Sequence, residues 1–245
     1  MTSLPQFGAI WVYLAATPLL GLTMTLAAYV AAHWLYLRCN SSPLANPVAV
    51  AIALVCAMLA VSGMRYADYF TGAQFVHFLL GPATVALAVP LARQLPRMRR
   101  WFLPMFVALL AGSVTAIVSA TGIVLILGGS LQMAVSAGPK SATTPIAMAV
   151  SQALGGIPSL TAVLVIATGI TGAVLSPLVF HVLRVRQEEV RGFTLGVAAH
   201  GIGTARSFQV SASMGALAGL GMGMNGVLTA FLAPWLTPML LGVFR

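Results

Sequence analysis

The chain has 245 residues, 60% of them hydrophobic and only 6% charged. A soluble domain carries about 25% charged residues, so this chain cannot cover a water-facing surface and reads as an integral membrane protein. The formal charge of +9 comes from twelve basic and three acidic residues. The basic residues stand at the ends of apolar runs, as the positive-inside rule expects. They form no patch interleaved with aromatics, which argues against nucleic acid.

A span needs about 20 apolar residues, so six to eight spans would use the chain and leave no water-soluble domain. The N-terminus MTSLPQFGAIW lacks a basic n-region and reads as uncleaved. The run from Phe7 is interrupted by Pro18, and the first predicted span is Thr17 to Leu37, ending on Arg38. A polar turn, CNSSPLANP, leads to a span over Val48 to Gly63. Arg65, Tyr66, Asp68 and Tyr69 mark a membrane–water boundary. Phe70 to Ala92 is apolar but holds Gly81-Pro82 and Pro90, which predict a kinked or unwound middle. Arg93, Arg97, Arg99 and Arg100 make the next loop cytoplasmic.

Trp101 to about Leu127 is the next predicted span, and Leu131 to Ala137 reads as a short connector. Thr144-Pro145 reads as a helix start, with Thr144 capping and Pro145 in the first turn. That helix runs to Gly155-Gly156, too short to cross a bilayer. Ser159 to Leu183 is a full span, and HVLRVRQEEVR is a charged cytoplasmic loop. Gly192 to Arg206 is apolar but broken by glycines. Met214 to Leu241 is the last span and contains Asn225. The two halves echo each other: Thr17-Pro18 with Thr144-Pro145, Asn46-Pro47 with Ile157-Pro158, Gly81-Pro82-Ala83-Thr84 with Gly201-Ile202-Gly203-Thr204. This suggests repeats over 17–128 and 144–241 inside one transmembrane domain of residues 1–245.

Two polar islands carry the candidate chemistry. The first, Ser136 to Gly156, holds Lys140, Ser141, Thr143 and Thr144 just before a helix N-terminus. Unpaired N–H groups there favour an anion, so lysine, hydroxyls and helix end form a cradle. The plainer alternative is a lysine snorkelling to headgroups. Pro139 and the glycine spacing exclude a phosphate loop. The second island, AHGIGTAR, holds His200, Gly201, Gly203, Thr204 and Arg206. Non-helical backbone at depth must face protein or a water-filled cavity, and an arginine there presents a fork suited to a carboxylate. The plainer alternative is a loop arginine that orients the protein. His200 suits proton relay or hydrogen bonding, or a structural role. His77 and His181 read as boundary residues. Asn225 needs partners from a neighbouring helix or a ligand, helix glue being the plainer reading. Glycines in Gly215 to Gly226 allow close helix packing. Cys39 and Cys56 suit neither a disulfide framework nor a metal site. No nucleophile–base–acid set exists, so catalysis is not expected, and neither a cofactor nor a metal is implied.

PKSATTPIAM, LGGIPSLTAV, AHGIGTAR and GMNGVLTAFLAP, in that order, resemble the LrgB/CidB family, as do GPATVALAVPL and the Tyr66/Tyr69 pair. The resemblance covers nearly the whole chain. It implies an all-α polytopic protein of the bacterial inner membrane, linked to murein hydrolase control and autolysis and called holin/antiholin-like. A smaller LrgA/CidA-type partner and a homodimer are further expectations. The similar plastid protein transports glycolate and glycerate, and bacterial relatives are associated with pyruvate uptake. The resemblance thus implies a small monocarboxylate as ligand, held by the two islands, with a pore-forming or regulatory role as the alternative. Family members often carry acids after the GTAR motif, where this chain has Gln209, Ser211 and Ser213.

Overall fold

In the computed structural model, residues 18–79, 82, 85–86, 92 and 102–243 are described. Their secondary structure is helical, with no strand among them. The chain divides into two compact units, Met1–Ala86 and Leu87–Arg245. Four of the described helices are long and apolar enough to cross a membrane.

The first unit contains α1 (Pro18–Arg38), a 3-10 turn (Pro43–Ala45), α2 (Pro47–Ser62) and α3 (Tyr66–Phe78). Asn46 starts α2: its side-chain oxygen accepts from the N–H of Val48 at 2.9 Å and of Ala49 at 3.2 Å, and Pro47 follows in the first turn. Gly63, at φ 66°, ends it. Gly21 lets α1 lie directly on the α3 backbone, where a Cβ would strike the Tyr69 carbonyl. The Thr25 hydroxyl meets the Tyr69 hydroxyl at 2.7 Å. The tyrosines read as a boundary belong to the first turns of α3, headed by an Arg65–Asp68 ion pair at 2.9 Å. That helix therefore begins before Phe70. The expected break at Gly81-Pro82 and Pro90, and the arginine loop, lie outside the described residues, except for Pro82, which is helical.

The second unit contains α4 (Phe102–Ile126), α5 (Leu131–Ala137), α6 (Thr144–Ala153), α7 (Pro158–Val182), α8 (Glu188–Val210) and α9 (Ala212–Val243). The expected connector over 131–137 is a helix, because Ser130 caps it by accepting from the Met133 N–H at 3.2 Å. The cap of α6 is Thr143 rather than Thr144, and its hydroxyl makes no capping bond.

Contacts fix the direction of each element. Ser113, midway along α4, bonds Asn225, midway along α9, and Ile117 packs in one cluster with Ala233. The two helices therefore run parallel. Helix α7 runs the other way: Thr161, near its start, meets Ser136 of α5, while Phe180, near its end, packs with Leu195 and Met214.

Between α4 and α7 the chain dips inward and returns. Thr161 Oγ1 lies 3.0 Å from the Ser136 carbonyl and 2.7 Å from Ser151 Oγ, and the Ile157 N–H donates to Ser136 Oγ at 2.8 Å. These bonds tie α5, α6 and the start of α7 together at one end of the unit. Gly155, at φ 81°, makes the turn out of α6. Helix α6 has ten residues, about 15 Å, half of an apolar core about 30 Å thick.

Helix α8 is a second hairpin. Ala199 (φ −127°, ψ 15°) and His200 (φ 41°, ψ −130°) are not helical. The chain reverses there, so residues 201–210 fold back on 188–198. A Cβ at Gly203 would stand 2.5 Å from the Leu195 carbonyl. The hairpin closes at its mouth, where the Ser211 hydroxyl donates to the Glu188 carboxylate. Its first arm runs alongside α9, with Gly192 against Met214 and Gly196 against Ala218, positions where any Cβ would strike a carbonyl. Lipid tails are as apolar as these side chains, so close backbone contact and buried polar bonds, rather than water exclusion, hold such arms together.

Candidate functional site: two hairpin tips

The two hairpins enter the second unit from opposite ends, and both reach Val165 of α7. The first tip is the loop 138–143. It stands at the level of Asn225, whose amide donates to the Ser141 carbonyl at 2.9 Å. The Asn225 oxygen accepts from Ser113 Oγ at 2.7 Å and lies 3.5 Å from Thr229 Oγ1. Asn225 is fully buried. Its oxygen and one amide hydrogen thus bond to protein, and it ties the lysine loop to α4 and α9.

The second tip is Ala199–His200. A carbonyl only accepts, so the 2.9 Å contact between His200 Nε2 and the Val165 carbonyl puts the proton on Nε2. The Val165 side chain packs with Ala142 and Ala147 of the first hairpin. One residue of α7 thus touches both hairpins. Two glycines of α7 make room for the second tip. A Cβ at Gly169 would stand 2.6 Å from His200 Cε1, and one at Gly172 would stand 2.6 Å from Ala199 Cβ. His200 holds a positive φ that costs a non-glycine residue about 1–3 kcal/mol, and such strain persists only where the surroundings dictate it.

Lys140 is half-buried at the first tip. None of the three acidic side chains pairs with it: Asp68 pairs with Arg65, Glu188 holds Ser211, and Glu189 is exposed near the mouth of the second hairpin. Ser141 is buried, and its hydroxyl has no hydrogen-bond partner. Thr143 and Thr144 are half-buried at the head of α6. The structure therefore puts Lys140, Ser141, Thr143 and Thr144 at the first tip and His200 at the second, with Val165 touching both hairpins.

The remaining expected residues lie on the returning arm. Thr204 turns inward: its hydroxyl donates to the His200 carbonyl at 2.8 Å and lies 3.8 Å from Met222 Sδ. Gly203 packs the two arms together, whereas Gly201 is exposed. Arg206 is half-buried, and its Nη1 donates to Gln209 at 3.1 Å. His181 is exposed beyond α7, and the His77 side chain lies outside the described residues. In the stretch after GTAR, Gln209 receives Arg206 and Ser211 latches the mouth. Sequence reasoning missed Ser113, Ser151, Thr161, Gly169 and Glu188. The available signal was serine, threonine and glycine inside spans that needed no polarity.

This architecture is that of an all-α polytopic membrane protein, and in the second unit its long apolar helices alternate with two half-length hairpins. The model of the LrgB-like family matches residues 25–239, and the chain belongs to that family. The uncharacterized protein YwbG of Bacillus subtilis (strain 168) is 34% identical over 218 residues, covering 89% of this chain and 96% of that protein. The antiholin-like protein LrgB of Bacillus mycoides (strain KBAB4) is 29% identical over 224 residues, covering 91% of this chain and 97% of that one. No solved structure matches the chain significantly.

Proposed function

We propose that this protein carries small monocarboxylates across the bacterial inner membrane, holding the anion at the first hairpin tip. The observation that carries this reading is Lys140, half-buried at a hairpin tip with no acidic partner, while His200 bonds Val165, which packs against the same hairpin. An unpaired ammonium at depth is costly unless an anion joins it. The α6 N-terminus and the unpartnered Ser141 hydroxyl add donors to the same place. The site suits one carboxylate group: it offers a single cation and a few hydroxyls. Two half-spanning hairpins around a central site also suit alternating access, since either can part without breaking a full span. The end carrying Arg184, Arg186 and Arg191 is the cytoplasmic one by the positive-inside rule. A role in murein hydrolase control would then follow from solute flux.

The antiholin-like names of relatives favour a second reading, in which the protein forms or regulates a pore. Proteoliposome flux separates the two. Saturable uptake of pyruvate, glycolate or glycerate, lost in Lys140→Ala and reduced in His200→Ala, supports the carrier. Leakage of unrelated dyes, indifferent to both changes, supports the pore. Arg206→Ala measures what the arginine of the returning arm adds, and its predicted loss is smaller than that of Lys140→Ala.

A further inference from the structure

A second group of buried oxygens lies below the first hairpin tip. A Cβ built on Gly138 would stand 3.2 Å from Thr121 Oγ1, 3.2 Å from Thr237 Oγ1 and 3.7 Å from the Val135 carbonyl. Three oxygens from α4, α9 and the end of α5 therefore lie around the open side of the Gly138 Cα. Both threonines are fully buried, and neither hydroxyl has a hydrogen-bond partner. A helical threonine or serine usually satisfies itself on the carbonyl four residues back, as Thr25, Thr204 and Ser207 do here. Thr121 and Thr237 instead turn away from their own helices, toward Gly138. The Val135 carbonyl is also released: its helical partner would be the N–H of residue 139, which is proline. Two orphan hydroxyls and a freed carbonyl at one buried point are expensive unless something binds them.

The geometry points to a binding site for a monovalent alkali cation of the sodium type, held by Thr121 Oγ1, Thr237 Oγ1 and the Val135 carbonyl. Hard cations take oxygen ligands, and the C-terminal end of a half-helix presents them with the favourable dipole. All three donors are neutral, so a divalent ion would leave too much charge uncompensated at this depth. Lys140 lies two residues beyond Gly138, so cation and ammonium repel unless an anion sits between them. On the carboxylate reading proposed above, that repulsion couples the two ligands: each binds better when the other is present. The cation site itself does not depend on that reading.

The test uses the purified full chain in detergent, with no carboxylate, in NaCl or in choline chloride at equal ionic strength. Sodium at ten to a hundred times its dissociation constant raises the thermal midpoint by about 3–10 °C. Thr121→Val and Thr237→Val keep the shape and lose the oxygen. Both variants unfold in choline at or above the wild-type midpoint, yet lose the sodium increment. Gly138→Ala, helical at φ −50° and so free of backbone strain, blocks the point and also loses the increment. Equal wild-type midpoints in the two salts, or an increment kept in both valine variants, overturn the proposal and leave a buried water as the occupant. A sodium increment without any carboxylate uptake removes the carrier reading and leaves the cation site standing. Uptake without a sodium increment does the reverse.

Discussion

Replacing Asn225 by alanine tests whether the first tip is held from below. The change removes the donor to the Ser141 carbonyl and the acceptor for Ser113 Oγ, at 2.9 Å and 2.7 Å. Both partners then lie in an interior without water. Stranding a buried polar group costs about 1–3 kcal/mol in a soluble protein. Polar bonds between membrane helices average about 0.6 kcal/mol, because the unfolded state in lipid finds other partners. Two stranded groups therefore put the loss at about 1–4 kcal/mol. Ser113→Ala removes one bond and strands little, since Asn225 keeps Thr229 within 3.5 Å, so its loss is about 0.5–1 kcal/mol. The functional consequence is a looser lysine loop. Cys39 and Cys56 are free and exposed, so both must be replaced before Lys140→Cys is labelled with a maleimide. The labelling rate of Lys140→Cys should rise several-fold when Asn225→Ala is added, and only slightly with Ser113→Ala. Equal rates in all three backgrounds would show that Asn225 does not position the tip, whatever the unfolding midpoints do.

The strain at His200 predicts an unusual order of stability. His200→Gly relieves a positive φ that His200→Ala keeps, so the glycine variant should be the more stable by about 1 kcal/mol, the opposite of a helical site. Denaturation of both in detergent checks this, and both should lose uptake with the ring. Gly169→Ala drives a Cβ to 2.6 Å from the His200 ring and should cost about 1–3 kcal/mol, with uptake falling far more than after the same change at the open Gly223. Ser211→Ala unlatches the mouth of the second hairpin; hydrogen exchange over 201–210 should speed up while α4 is unaffected. The hydrogen bond from Arg65, aided by its charge, holds the exposed Asp68 carboxyl below its ordinary range. A lowered carboxylate contributes stability that is complete above the unfolded value and lost as pH falls through the folded one. Asp68→Asn should therefore leave the pH dependence unchanged between pH 5 and 8 and alter it only below about pH 4.

Composition and run length by themselves determined that the chain crosses a membrane and placed the described spans within a few residues, because a bilayer demands about 20 apolar residues whatever they touch. The polar islands were legible for the same reason: Lys140 and His200 are conspicuous among apolar neighbours. The tertiary structure decided what the islands do to one another. Glycines 201 and 203 suggested where α8 breaks, yet the reversal falls on His200, since only packing against Gly169 and Val165 makes that strain tolerable. Asn225 read as glue or ligand contact, and its protein partners, Ser113 and Ser141, are distant in sequence and adjacent only after folding. Local pattern reports the medium around a segment. Which polar groups satisfy one another depends on how helices cross, and the sequence pattern does not record that.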